Sequence, residues 1–468
     1  MNTSAVSPGR AGLLLLLSGQ MLPLIDTSIT NVALDAITHT LAASATQLEL
    51  IVALYGVAFA VCLAMGSKLG DNYGRRRLFM WGVALFGIAS LLCGMANSIG
   101  ALLAARTLQG AGAALIVPQI LATLHVTLKG PAHARAISLY GGIGGIAFIV
   151  GQMGGGWLVS ADIAGLGWRN AFFINVPICL LVLALSRRYV PETRRETPSR
   201  IDWQGTLYLA LILCCLLFPM ALGPELHWPL WLQLMLVAVL PLLFAMRQSA
   251  LRQQQRGDHP LLPPRLLQLT SIRFGMAIAL LFFSAWSGFM FCMALTMQEG
   301  LGMAPWQSGN SFIALGVAYF ISALYAPRLI ARYSMGRILL TGLAVQIAGL
   351  LLLCATFSRF GVATSALTLV PATALIVNSF YRIGMRDISA SDAGAGSAIL
   401  STLQQATLGL GPAILGSLFL ALARRGGGNY PQALIDFLLV EVAMMLLLGA
   451  IALWLRHHLN RQPATVAS

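Results

Sequence analysis

Charge is what this chain has least of. Only 9% of its 468 residues are Asp, Glu, Lys or Arg, against roughly 25% in an ordinary soluble domain. A globule of this size could not hydrate its surface with so few charges, so lipid must cover much of it. The seven cysteines, Cys62, Cys93, Cys179, Cys214, Cys215, Cys292 and Cys354, all lie in apolar stretches. None has CxxC or Cys/His metal spacing, so they read as small buried apolar side chains and no metal site is expected. There is no G-x-S-x-G, no HExxH and no paired histidines within a span, so nothing points to an enzyme. No nucleotide-binding P-loop is present, which excludes ATP-driven transport from this chain alone. Residues 11–34 are too long for a signal-peptide apolar region and no small-residue cleavage site follows, so the first span is expected to stay in the protein.

Apolar residues make up 58% of the chain, in runs long enough to cross a bilayer at about 20 residues each. Fourteen candidate spans fall at 12–34, 48–69, 78–97, 99–124, 134–159, 167–186, 203–222, 229–246, 273–297, 306–328, 336–356, 360–381, 392–422 and 433–455. Lysine and arginine flanking spans gather on the cytoplasmic side. With the N-terminus inside, 24 of the 29 lie on that side, only Arg169, Arg359, Arg424 and Arg425 lie outside, and Arg106 falls within a span. Both termini are therefore expected to be cytoplasmic. The net charge of +14 is a product of topology and does not call for nucleic acid as a partner.

Between spans two and three stands Gly66-Ser67-Lys68-Leu69-Gly70-Asp71-Asn72-Tyr73-Gly74-Arg75-Arg76-Arg77. Its glycines permit a tight turn, and Asp71 can cap a helix or pair with the adjacent arginines. The segment is similar to the signature loop of the major facilitator superfamily, G-x-L-x-D-x-x-G-R-R. Three further stretches resemble the 14-spanner drug:proton antiporter branch of that superfamily (EmrB/QacA-like): Ile25-Asp26-Thr27-Ser28-Ile29-Thr30-Asn31-Val32-Ala33-Leu34, Arg106-Thr107-Leu108-Gln109-Gly110 and Trp168-Arg169-Asn170-Ala171-Phe172-Phe173-Ile174-Asn175-Val176-Pro177.

The resemblance implies an all-α polytopic membrane protein of the major facilitator fold. Residues 1–200 would form an N-terminal six-span bundle, 201–248 two inserted spans, and 249–468 a C-terminal six-span bundle. In that fold Gly66, Asp71, Gly74, Arg75 and Arg76 would serve the conformational gate. The span-five motif ends Gly151-Gln152-Met153-Gly154-Gly155-Gly156, with Gln152 where the family has proline. Gly151, Gly155 and Gly156 remain available for close helix packing.

Asp26 is an ionisable group inside a span, which is functional by default. It lies eight residues, about 12 Å, from the outer end of span one, and Arg106 lies about 10 Å into span four. Their similar depth makes an ion pair reasonable, with Asp26 as the proton-responsive acid and Arg106 its partner. Glu441, about 12 Å into the last span, is a second coupling candidate. Asn31 and Gln109 are candidates for the substrate cavity, as is Trp286, whose ring could stack on a lipophilic cation. Asp35, Glu49, Asp162 and Glu225 are expected near the outer face.

The expected activity is export of lipophilic, cationic compounds across a bacterial inner membrane by proton antiport. The proton gradient would be the energy source, with no cofactor. Its partners would be the small-molecule substrate, protons and the bilayer, and a periplasmic adaptor is left open. The alternatives are export of one specific metabolite or natural product, and a membrane sensor that does not transport.

Overall fold

A computed structural model describes residues 8–461, apart from 195–199, 259, 334, 361–375, 377–379, 381, 382, 385 and 389–392. The described residues form helices and connecting loops. The longer helices before the midpoint are α1 (Gly9–Leu41), α2 (Ala45–Tyr73), α3 (Arg75–Met95), α4 (Ile99–Thr127), α5 (Gly130–Ile149) and α6 (Asn175–Tyr189). A pair follows, α7 (Trp203–Leu226) and α8 (Leu230–Gln255). Then come α9 (Ser284–Leu295), α10 (Ile313–Arg332), α11 (Met335–Phe360), α12 (Ala393–Gly411), α13 (Ser417–Arg425) and α14 (Tyr430–Arg461).

Eleven helical segments, rather than fourteen, are long and apolar enough to cross a membrane among the described residues. Helices α5 and α10 stand where spans five and ten are expected. The twelfth expected span, 360–381, falls almost wholly outside the described residues. The chain is a multi-pass membrane protein.

Three apolar cores hold the bundle. One joins α1–α4 and α6 through Leu16, Phe79, Phe86, Ile116 and Cys179. A larger one fills the second half around Phe282, Phe291, Phe380, Phe419 and Phe437, and reaches across to Ile29 and Leu48. The third lies along the seam of α2, α7 and α12, with Val57, Leu217 and Leu410. At that seam the α2 and α12 backbones touch. A Cβ on Gly409 would stand 2.7 Å from the amide nitrogen of Val57, beside Gly56. Only glycine allows so close an approach.

The signature loop is a single residue. Helix α2 runs through Asp71 to Tyr73, Gly74 turns the chain at φ +106°, and α3 begins at Arg75. Asp71 pairs with Arg75 at 2.6 Å. The amide of Arg75 donates to the Thr193 carbonyl and that of Arg76 to Glu192. Gly66 packs on α4, where a Cβ would meet the Ala114 carbonyl at 2.6 Å. The loop therefore ties α2 and α3 to the segment after α6.

Gln152 does not straighten span five. Val150–Gly154 forms one π-helical turn between α5 and the short helix Gly155–Ser160. π-Turns of this kind are single-turn interruptions within α-helices. Gly151 lies against Ile25 and Ser28 of α1, and Gly155 against Ile29. Gly156 faces Pro305 and Trp306 of the short helix Pro305–Asn310. These glycines let one span touch helices from both halves of the chain.

A buried ion pair and a second buried acid

Asp26 occupies α1 three residues beyond Pro23, and its carboxylate is wholly buried, at 0% exposure. Three side chains donate to it. Arg106 Nη1 reaches Oδ2 at 2.5 Å, Gln109 Nε2 reaches Oδ1 at 2.6 Å, and Asn175 Nδ2 reaches Oδ1 at 3.1 Å. Those three donors fill three of the about four lone-pair sites a carboxylate offers. Arg106 is equally enclosed. Its Nη1 also donates to Gln109 Oε1 at 2.6 Å and its Nε to the Ile51 carbonyl at 3.1 Å. Its guanidinium lies 4.3 Å from the centre of the Tyr55 ring, a cation–π contact. Ser90 of α3 closes the cluster, accepting from Gln109 and Asn175.

Five helices, α1, α2, α3, α4 and α6, thus meet at one charge pair. Burying two ions is costly unless their remaining donors and lone pairs are matched, and Arg106 Nε and Nη1 and both carboxylate oxygens of Asp26 have partners. Gln109, a candidate for the substrate cavity, bridges Arg106, Asp26 and Ser90 at 0% exposure. Asn175 and Ser90 are network members that sequence reasoning did not single out. Asn175 lies in the quoted Trp168–Pro177 stretch, but nothing in its spacing shows contact with a residue 149 positions earlier. Asn31 stays apart, donating to the Thr27 carbonyl of its own helix, with its Oδ1 unpartnered.

Glu441 is the contrast. It is 2% exposed on α14 and its Oε1 has no partner. It lines a narrow cavity with Phe282, Trp286 and Phe289, and with Gln346 and Leu350 of α11. Trp286 stacks on Phe289 with ring centres 6.4 Å apart. The structure therefore brings Trp286 to Glu441 and leaves both away from the Asp26 cluster.

Glu49, expected near the outer face, lies at the first turns of α2 but is enclosed. It is 0% exposed because α12, α13 and the turn between them cover that end of α2. Ser417 bonds its Oε2 at 2.9 Å, and its Oε1 has no partner.

A bundle of membrane-spanning helices, with an ion pair sealed in one half and an acid enclosed in the other, defines a polytopic transporter. The Major Facilitator Superfamily model matches residues 16–412, and the chain belongs to that superfamily. It is 32% identical over 419 residues to the "Probable actinorhodin transporter" of Streptomyces coelicolor, covering 88% of this chain and 72% of that protein. It is 31% identical over 422 residues to the puromycin resistance protein pur8 of Streptomyces alboniger, covering 86% and 80%. Among solved structures, it superposes on a POT family transporter in complex with 5-aminolevulinic acid with a TM-score of 0.68, at 11% identity and 96% and 98% coverage. At that identity the likeness shows the fold.

Proposed function

We propose that this protein exports lipophilic antibiotic-type compounds by proton antiport, as a member of the 14-spanner drug:proton antiporter branch. In that reading, the helices over 130–160 and 313–332 are two further spans, and the expected span 360–381 lies outside the described residues. The N-terminal bundle is 1–200, the inserted pair 201–248 and the C-terminal bundle 249–468. Both termini face the cytoplasm of a bacterial inner membrane, following the arginine distribution.

The buried Asp26–Arg106 pair carries this reading. A charge pair enclosed within a membrane bundle, tying five helices, is costly to keep and marks a working site. In a coupling cycle Asp26 would exchange Arg106 for a proton as the helices shift, because a carboxylate's hold on its proton depends on the cation beside it. Glu441, with no such cation nearby among the described residues, is the second acid of the cycle. Its aromatic wall with Trp286 suits a cationic or aromatic substrate. Relatives named for antibiotic resistance and export, among them a tetracenomycin C resistance and export protein, support the outward direction and the compound class. They equally favour export of a single natural product, the alternative reading.

Inverted vesicles tested with a panel of lipophilic cations, puromycin among them, decide the matter. Proton release is expected from the native chain and its loss from Asp26→Asn. Equal release from both would move coupling to Glu441, tested by Glu441→Gln. No release with any compound would overturn the multidrug reading.

A further inference from the structure

We propose that Glu49 is a proton-binding residue of the seam between α2 and the C-terminal helices, and that closing this seam at its outer end takes up one proton. The inference rests on the transporter reading above only for which side is outer.

Ser417 Oγ lies 2.9 Å from Glu49 Oε2 and 2.9 Å from the carbonyl oxygen of Met220. A serine hydroxyl has one proton to donate and lone pairs to accept with. Both neighbours are acceptors if Glu49 is ionised, so one of them would face an oxygen lone pair at hydrogen-bond distance.

Met220 needs that proton, because its carbonyl has lost its helical donor, and only a protonated Glu49 lets both contacts be hydrogen bonds. Within α7 its carbonyl would receive the amide four residues on, but position 224 is proline, which has no N–H. An orphaned buried carbonyl needs a donor, and Ser417 is the one in place. Glu49 must then bring its own hydrogen. Protonated at Oε2 it donates to Ser417 Oγ, and Ser417 donates to Met220. Every oxygen in this chain but Glu49 Oε1 is satisfied. Left unpartnered beside Gly416, where a Cβ would stand 3.4 Å from it, Oε1 is then the carbonyl of a neutral acid. That is a far smaller burial penalty than an ion's.

No cation replaces the proton among the described residues. Glu49 forms no ion pair, and the charged groups that act on it from the surrounding helices are Arg424 of α13 and Glu225 of α7. Glu225 is tied instead to Ser44 at 3.5 Å. The buried thiol of Cys292 on α9 is the other titratable group facing it.

The placement gives the proton consequences. Glu49 joins α2 of the first bundle, α7 of the inserted pair and α13 of the second through one hydroxyl. It lies about 10 Å along α2 from the Gly56–Gly409 contact. Parting the outer ends of α2 and α13 would expose the acid to the outer solution, where it ionises. Closing them again requires the proton back. Since the closed form binds one more proton than the open form, closure is favoured as the pH falls.

Two measurements on the purified full-length protein in liposomes test this without any transport. Infrared spectroscopy at neutral pH is expected to show a protonated carboxyl C=O band that is absent in Glu49→Gln. Ser417→Ala should shift that band without removing it. Hydrogen–deuterium exchange over 44–55 and 412–425, corrected for the intrinsic effect of pH, is expected to lose protection as pH rises in the native chain. One linked proton allows at most about tenfold per pH unit, and Glu49→Gln should remove the dependence. An unchanged carboxyl band in Glu49→Gln, or the same pH dependence in both proteins, would overturn the proposal. Glu49→Asp, which keeps the acid, should retain the pH dependence, and if Glu49→Gln does not fold the Ser417→Ala band shift still decides. Failure of drug export in vesicles would leave both readouts intact, so the two readings fail separately.

Discussion

At the scale of single residues, the ion pair sets the sharpest expectations. Removing Arg106 leaves Asp26 in a sealed site with two amide donors and no cation beside it. Breaking one side of a buried pair costs about 3–5 kcal/mol. Arg106→Gln is therefore expected to lower the melting temperature in detergent sharply, and the double variant with Asp26→Asn to recover much of the loss. Asn175→Leu removes one donor of three and should cost about 1–3 kcal/mol in the same assay. A double-mutant cycle between Asp26 and Asn175 would read their coupling directly. Asp26 and Arg106 are legible from sequence, because a charge in an apolar run announces itself and helical rise fixes its depth. Ser90 and Asn175 are not, since uncharged polar residues in a span carry no such signal. Glu49 misleads for a related reason. Its position near a helix end suggests water, and only the packing of residues from the far end of the chain shows otherwise.

Elements carry a different kind of information. The glycines of span five are visible in sequence as candidates for close packing, but their partners are not, and nothing in the sequence marks Gly409. Gly409 meets α2, whereas Gly156 meets Pro305 and Trp306. Gly409→Leu would force α2 and α12 apart, and a loss of export with the protein still folded, checked by size-exclusion chromatography, is the expected outcome. Gln152 offers the reverse case. Its amide is 1% exposed and neither its Nε2 nor its Oε1 has a partner. Two unmet polar atoms in an apolar site are a standing cost, so Gln152→Leu should raise the melting temperature. If export falls while stability rises, the amide serves the transport cycle. The π-turn around it could not have been read from composition, because the family's proline is absent and nothing in Val150–Gly154 marks a break in the hydrogen-bond ladder.

For the molecule as a whole, the lack of charge points to a lipid environment, and the arginine distribution predicts a topology. Tags at each terminus, probed with protease in sealed right-side-out cells, are expected to be protected. The span count is harder to read. Hydropathy finds runs of the right length but does not say which remain straight, and residues such as Gly130–Gly156 pass as one span while folding as helix, π-turn and helix. The pairing of α2 with α12 across the seam is likewise a property of the assembled chain, not of either helix.

Helix α8 has one more consequence. Only Leu232, Met246 and Ala250 of its 26 residues are buried, and Leu230, Val237, Leu240 and Phe244 are exposed, so its surroundings are acyl chains. Trp231 stands at one end and Arg247 at the other, sixteen residues or about 24 Å apart along the helix. Tryptophan and arginine both settle at the headgroup level, while a typical hydrocarbon core is about 30 Å thick. The bilayer must thin, or Arg247 must stretch, to seat both ends. Membrane thickness is thereby a variable the protein feels at its periphery, through a helix whose packing lies chiefly on α7.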